Sequence, residues 1–450
     1  MIAAALTIAR YATAHPATGT YAHLSLEVAR ALIDTVGVAV AGRLEPVSAI
    51  ALKYGAGAGA TATAQAWGRR DPLPPQAAAF YNGVAGHVLD YDDVSSPLRG
   101  HPSIALLPPL VALAQARDLP GAQLVDAYVV GFEILVKLAR AMVHEHYAKG
   151  WHATTTLGTV AAAVACARLL GLSEMQTVHA IGIAVGQAAG TRGNFGTMAK
   201  SFQAGHCAAS GLRAALLAEL GMDAAIDALD GSQGFMRLYG QHEPLAPVLA
   251  GLGIEPPELA SSGIEIKKYP LCYATHRSLD GILDLRREHG LTAQDVEAVH
   301  IVSNHRGMVP LIHDRPATGL EAKFSMPYAI SAALLDGKIN FASFKDEAVQ
   351  RPAIQDLMPR ITRHEDEQPT TARWNRLLVR LRGGQILEKE VRQLRGSNDL
   401  PLSEDALREK WRDCLQHGGL RPADGEAFFA QALRLERMPV RALMALVPGD

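Results

Sequence analysis

Cysteine is scarce and scattered in this chain. Cys166, Cys207, Cys272 and Cys414 are the four, far apart, and none forms a Cys-x-x-Cys pair. That spacing excludes the usual zinc and iron–sulfur ligand patterns. It points to a reduced, cytoplasmic protein. Neither sign of charge dominates: 43 basic and 45 acidic residues leave a net charge of −2. No basic excess invites nucleic acid, and no charge run suggests a tail. Long apolar runs are missing too. The longest, Ile104 to Ala114, holds Pro108-Pro109 and is too short to cross a bilayer. No basic segment leads into an apolar core and cleavage site, so no signal peptide and no membrane partner are expected. Aromatic residues make up only 6%, whereas small residues abound, 41 of them Gly. Small side chains let helices approach closely, so the composition favours packed helices.

What is present is organised helix after helix for about the first 260 residues. A helix is expected from Ser25, with the serine as cap. Leu113 to Met142 breaks at Asp118-Leu-Pro-Gly121. Thr155 to Leu170 is Ala-rich and stops at Gly171, and Ser173 to Gln176 reads as a capping box. That next helix is expected to reach about Gly190, and another spans Cys207 to Leu220. Gly55 to Ala66 reads as small-residue loop or helix. Near Gly263 the pattern changes. Val296 to Val302 has a strand pattern, and Leu377 to Leu381 with Ile386 to Val391 flank a Gly-Gly turn. Ser325 to Leu335 is a helix closed by Gly337, and helices restart at Leu402-Ser403. The chain, at 450 residues, has room for two domains. The fold class is therefore mainly α: an all-helical domain over 1–264 plus 399–450, interrupted by a smaller α+β domain over 265–398.

The chemistry concentrates in His87-Val88-Leu89-Asp90-Tyr91-Asp92-Asp93, followed by His101-Pro102-Ser103. Carboxylates and imidazoles set in an apolar wall are what acid/base work needs, because burial and neighbouring charge move their pKa values. Pro74-Pro75 starts a helix that, run on to about Asp93, would place His87, Asp90 and Tyr91 on one face. Acidic residues at a helix C-terminus oppose the helix dipole, which makes a purely structural reading strained. His87 is read as structural.

Leu89-Asp90-Tyr91-Asp92-Asp93 with His101-Pro102-Ser103 resembles the signature of the MmgE/PrpD family, which includes 2-methylcitrate dehydratase, cis-aconitate decarboxylase and iminodisuccinate epimerase. Four further blocks resemble the family in the same order: Gly150-Trp151-His152, Gly196-Thr197-Met198-Ala199-Lys200, Lys267 to His276, and Glu321 to Tyr328. The resemblance implies an all-helical domain with an α+β lid, a homodimer, and no metal or organic cofactor. It implies a site of Asp90, His101, His152, Lys200, Lys267 and Tyr328, with His276 less defined in role. Arg99 and Arg192 are added as carboxylate clamps by their nearness to the motifs. Cys272 stands where the decarboxylase members and the well-known dehydratases are similar in carrying histidine. Val94 replaces a frequent threonine, and the segment from Asp93 to His101 is short.

These residues suit making or quenching a carbanion beside a carboxylate, which needs preorganised cations and hydrogen-bond donors. His101 is the expected proton carrier, with Asp90 orienting it. Lys200 and Lys267 supply charge, and His152 and Tyr328 donate hydrogen bonds. The leading expectation is a cofactor-independent dehydratase of a small di- or tricarboxylate of the 2-methylcitrate type. An epimerase of an iminodisuccinate-like dicarboxylate comes next, and decarboxylation of cis-aconitate ranks lower because of Cys272. A non-enzymatic carboxylate-binding protein and a metal-dependent hydratase are weaker readings.

Overall fold

A computed structural model describes residues 3–14, 19–57, 59, 61–240, 244–368 and 373–450. The protein is mainly α-helical, and it folds as two compact units, Met1–Ile266 with Leu407–Asp450, and Lys267–Ala406.

The larger unit is built from helices Ser25–Gly42, Pro75–His87, Pro102–Arg117, Gly121–Ala148, Ala153–Leu170, Glu174–Val185 and Met198–Glu219, with Glu404–His417 closing the set from the C-terminal side. Local signals explain most of their ends. Asp118 and Gly171 both adopt left-handed conformations and stop their helices. Ser173 and Gln176 form the reciprocal capping box expected of them. Ala153–Leu170 is apolar and long enough to cross a membrane by composition, but it is the buried core helix of this unit. It packs against Gly121–Ala148, Pro102–Arg117 and Met198–Glu219. Small residues make that closeness possible. A Cβ on Gly83 would lie 2.8 Å from the Cα of Gly205 on the facing helix, so these two backbones touch.

Four expectations are corrected here. The helix begun at Pro75 stops at His87 rather than near Asp93, because Asp90 adopts φ +53° and cannot continue it. His87, Asp90 and Tyr91 therefore share no helix face. Ser25 is the first helical residue rather than the cap, following a short turn Ala22–Leu24. The Glu174 helix ends at Val185 rather than near Gly190. The helix expected from Cys207 begins at Met198, since the Thr197 side chain accepts from the Ala199 N–H at 3.2 Å. The tract from Gly55 to Ala66 divides between the end of helix Pro46–Ala56 and a short strand Ala64–Gln65, with positions 58 and 60 outside the described residues.

The smaller unit carries, among the described residues, a four-stranded sheet in the order Ile361–Glu365, Val296–Ser303, Asn375–Leu381, Ile386–Val391. The first pair is parallel and the other two are antiparallel. The Asn375–Leu381 and Ile386–Val391 strands form the Gly-Gly hairpin, with Gly384 at φ +83°. Helices His276–His289 and Met326–Asp336 pack on the sheet over a core that includes Leu279, Val299, Ile330 and Leu377.

Candidate active site

Three helix starts meet inside the larger unit. His101 is the residue before helix Pro102–Arg117, His152 the residue before Ala153–Leu170, and Lys200 sits in the first turn of Met198–Glu219. Each start carries the positive end of a helix dipole, which favours negative charge nearby. The His101 N–H donates to Thr154 Oγ1 at 3.1 Å, tying two of these starts together.

The loop after His87 brings in the carboxylates. Asp90 accepts a hydrogen bond from Lys200 Nζ at 2.6 Å, and its Oδ1 lies 3.6 Å from His101 Nε2. Lys200 sits on a helix. Burial alone would lower its pKa, but the charge and hydrogen bond of Asp90 outweigh that and raise it. Asp90 spends its left-handed backbone on this position, a conformation that Asp tolerates better than most residues.

Asp92, fully buried, is the residue the sequence did not single out. Its Oδ2 lies 2.8 Å from His87 Nδ1 and its Oδ1 3.2 Å from His101 Nδ1. Burial would raise its pKa, yet the His101 and His87 partners hold it well below the usual carboxylate range. One carboxylate thus serves two imidazoles, and the partner expected for His101, Asp90, is the more distant of the two. His87 belongs to the cluster as well. Its ring stands edge-on to His101 at 4.8 Å and stacks on His152 at 5.7 Å. Burial pushes His87 down to about 4, against the pull of Asp92. His152 Nδ1 lies 2.8 Å from Gln203 Oε1, and burial with the neighbouring His87 holds its pKa well below the usual histidine value. No sequence signal marked Gln203. The His87–Asp92 pairing becomes visible only once the turn at Asp90 is known.

Among the described residues, His87, Asp92 and His101 form a group whose possible ligand atoms lie within 4.8 Å of one another. Asp92 already engages both imidazoles through their Nδ1 atoms, so a cation would have to replace those contacts.

The remaining expected residues have partners of their own. Arg99 is exposed at φ +52°, and among the described residues its side chain pairs with none of the cluster. Arg192 stacks on the Tyr147 ring at 4.0 Å and donates to the Tyr147 carbonyl at 3.0 Å. Lys267, Cys272, His276 and Tyr328 are buried within the smaller unit. The His276 Nε2 bonds the Leu271 carbonyl at 3.2 Å. The Tyr328 hydroxyl donates to the Ser343 carbonyl, and burial pushes its pKa up to about 12. Tyr328 therefore spends its proton within its own unit.

Behind the cluster, Asp93 accepts from the Ser103 N–H at 3.2 Å and from the Ser103 hydroxyl, which also bonds the Tyr128 hydroxyl at 2.7 Å. Burial and the charge of Asp34 push Asp93 up to about 8. Between about pH 4 and 8 the folded state then keeps a proton that the unfolded chain, titrating near 3.8, has released. Stability contributed here falls as pH rises. His87 acts oppositely below pH 6.5, where the unfolded chain binds the extra proton. Above 6.5 only the Asp93 effect remains of these two. Denaturation across a pH series should show a loss of about 2 kcal/mol between roughly pH 6.5 and 8. The Asp93→Asn variant should flatten that slope; an unchanged slope would refute the protonated state.

A helical scaffold gathers imidazoles, carboxylates and a lysine at converging helix starts, the groups that acid/base chemistry uses. The chain belongs to the MmgE/PrpD family: the family's N-terminal domain matches residues 6–247 and its C-terminal domain residues 269–433. It is 31% identical over 396 residues to the cis-aconitate decarboxylase of Homo sapiens, covering 85% of this chain and 82% of that protein. It is 29% identical over 408 residues to the cis-aconitate decarboxylase of Mus musculus, covering 85% and 80%. The cis-aconitate decarboxylase of Aspergillus terreus is 26% identical over 370 residues, covering 76% and 74%.

Proposed function

We propose that the protein is a lyase acting on a small tricarboxylate through a carbanion formed beside a carboxylate. The observation that carries this reading is the joining of Asp90, Lys200, His101 and His152 at three helix starts. The first reading is a carboxy-lyase of the cis-aconitate type, supported by the names of the similar proteins. Here the C–C bond to a carboxylate breaks, carbon dioxide leaves, and the electron pair remains on carbon. Lys200 and the helix dipoles stabilise that charge. His101 then delivers a proton to the carbon, with Asp92 stabilising the imidazolium before transfer. The second reading is a dehydratase of the 2-methylcitrate type, which draws on the same acid/base groups; Cys272 does not separate it from the first, since both kinds of relative carry histidine there. An epimerase of an iminodisuccinate-like substrate uses the same intermediate and stands third.

The same proposal gives Lys267, Tyr328, His276 and Cys272 of the smaller unit a part in substrate binding. It also includes a twofold homodimer and a cytoplasmic location. Light scattering at micromolar concentration is expected to give the dimer mass; a monomer alone would count against it.

The deciding experiment incubates purified protein with cis-aconitate, 2-methylcitrate, citrate and iminodisuccinate in heavy water and follows products by NMR. Loss of carbon dioxide with deuterium at the new C–H bond is the expected result. Alkene formation from 2-methylcitrate would favour the second reading, and deuterium uptake without net conversion the third. No turnover of any acid would overturn the enzyme reading. Activity is expected to survive exhaustive chelation, since Asp92 already lies against both imidazoles; specific rescue by one divalent metal would contradict this.

A further inference from the structure

We infer that Gln203 is a positioning residue that holds His152 as the Nδ1–H tautomer, so that His152 meets substrate with the bare lone pair of Nε2. The inference rests on the acid/base reading of the site above, and it assigns the direction in which one of its groups works.

Hydrogen-bond geometry determines the orientation of the Gln203 amide. Its Nε2 donates to the Thr191 carbonyl at 3.1 Å. Turning the amide over would set its oxygen against that carbonyl, two acceptors in contact. Gln203 Oε1 must therefore be the atom facing His152, at 2.8 Å from Nδ1. An amide oxygen only accepts, so Nδ1 carries the proton.

The surroundings keep the ring neutral. His152 is buried, at the start of helix Ala153–Leu170. Its titratable and charged neighbours are His87 on helix Pro75–His87, His101 with its carboxylates Asp92 and Asp90 from the preceding loop, and Lys200 on helix Met198–Glu219. Burial first, then the neighbouring His87, Lys200 and His101, all disfavour a proton on His152, and the Phe195 ring closes a further side at 5.0 Å. A neutral imidazole with hydrogen on Nδ1 has none on Nε2.

A glycine preserves this arrangement. Gly190 has φ +131°, and its carbonyl accepts the His152 N–H at 3.0 Å. A Cβ there would lie 2.1 Å from Thr155 Oγ1 and 3.0 Å from Gln203 Oε1, so any side chain would push the amide off the imidazole.

The division of labour follows. The expectation that His152 donates a hydrogen bond is reversed. His101 faces a carboxylate through Nδ1, whereas His152 faces an amide. A ligand group meeting His152 Nε2 must itself donate, as a hydroxyl or a protonated carboxyl does.

The test uses protein labelled with ¹⁵N-histidine, with the His152 signal assigned by its loss in His152→Gln. In wild type at pH 7, long-range ¹H–¹⁵N spectra should show protonated Nδ1 and bare Nε2. Gln203→Leu should mix the tautomers. Gln203→Glu should restore the Nδ1–H form and bring the imidazolium pattern in at higher pH than wild type. A wild-type ring protonated at Nε2, or a Gln203→Leu ring unchanged in tautomer, would overturn the inference. These spectra need no substrate, so they stand apart from the failure of any substrate assignment. On the substrate found by the panel above, Gln203→Leu should lose about tenfold or more in kcat with a smaller change in KM. Gln203→Glu should shift the acid limb of the kcat profile to higher pH.

Discussion

His101→Ala is expected to lower kcat by about 10²- to 10⁴-fold, the range for removing a positioned acid or base. His101 is the imidazole whose Nδ1 lies 3.2 Å from the buried Asp92 carboxylate while its Nε2 faces the Asp90–Lys200 pair. That arrangement lets the ring gain and release a proton at Nε2 with its charge stabilised at Nδ1. Ligand binding should weaken far less, because Lys200 and the three helix starts still meet the anion. Lys200→Ala should behave differently, raising KM as well as lowering kcat, since it meets charge in both ground and transition states. Steady-state kinetics on the true substrate separates the two patterns. A His101→Ala protein with near-normal kcat would sink the assignment. A collapsed melting temperature would instead favour a structural role for the 87–103 segment.

Lys410→Met is expected to cost about 3–5 kcal/mol of stability, the range for removing one partner of a buried ion pair. Lys410 Nζ lies 2.5 Å from Asp34 Oδ1, and both residues are buried. The same ammonium donates to the Tyr91 carbonyl at 3.0 Å and sits 3.8 Å from the centre of the Tyr91 ring. Tyr91 stands between Asp90 and Asp92, so the variant should also loosen both carboxylates and lower kcat. Removing both charges, as Asp34→Leu with Lys410→Met, should recover much of the stability, because a buried pair pays for its own desolvation. It should not recover kcat, since the Tyr91 anchor is still missing. Denaturant melts and kinetics on the single and double variants check both halves. A single-variant loss below about 1 kcal/mol would show that the pair is not the anchor described.

Much of the fold was legible because its signals are local. Gly171, Gly337, the Ser173–Gln176 box and the Gly-Gly hairpin each act within a turn of their own position, and all lie where the sequence pattern puts them. The misplaced ends have local causes of weaker sequence signature. Asp90 halts the Pro75 helix by a left-handed backbone that an Asp-rich run does not announce. Thr197 starts its helix two turns before the apolar pattern becomes regular.

The candidate site divides the same way. The sequence by itself determined the residue types, their motif order and hence the family, and with it Asp90, His101, His152 and Lys200 as neighbours to seek. Only the tertiary structure decided what each imidazole faces. His87 joined the cluster because the chain turns back at Asp90 and returns Asp92 beneath it. Gln203 reaches His152 across 51 residues, and Lys410 reaches Tyr91 across 319. The physical reason is range. Helix caps and stops are set by neighbouring backbone groups, whereas a proton's position in a buried imidazole is set by whichever acceptor the packing of distant helices brings to its nitrogen.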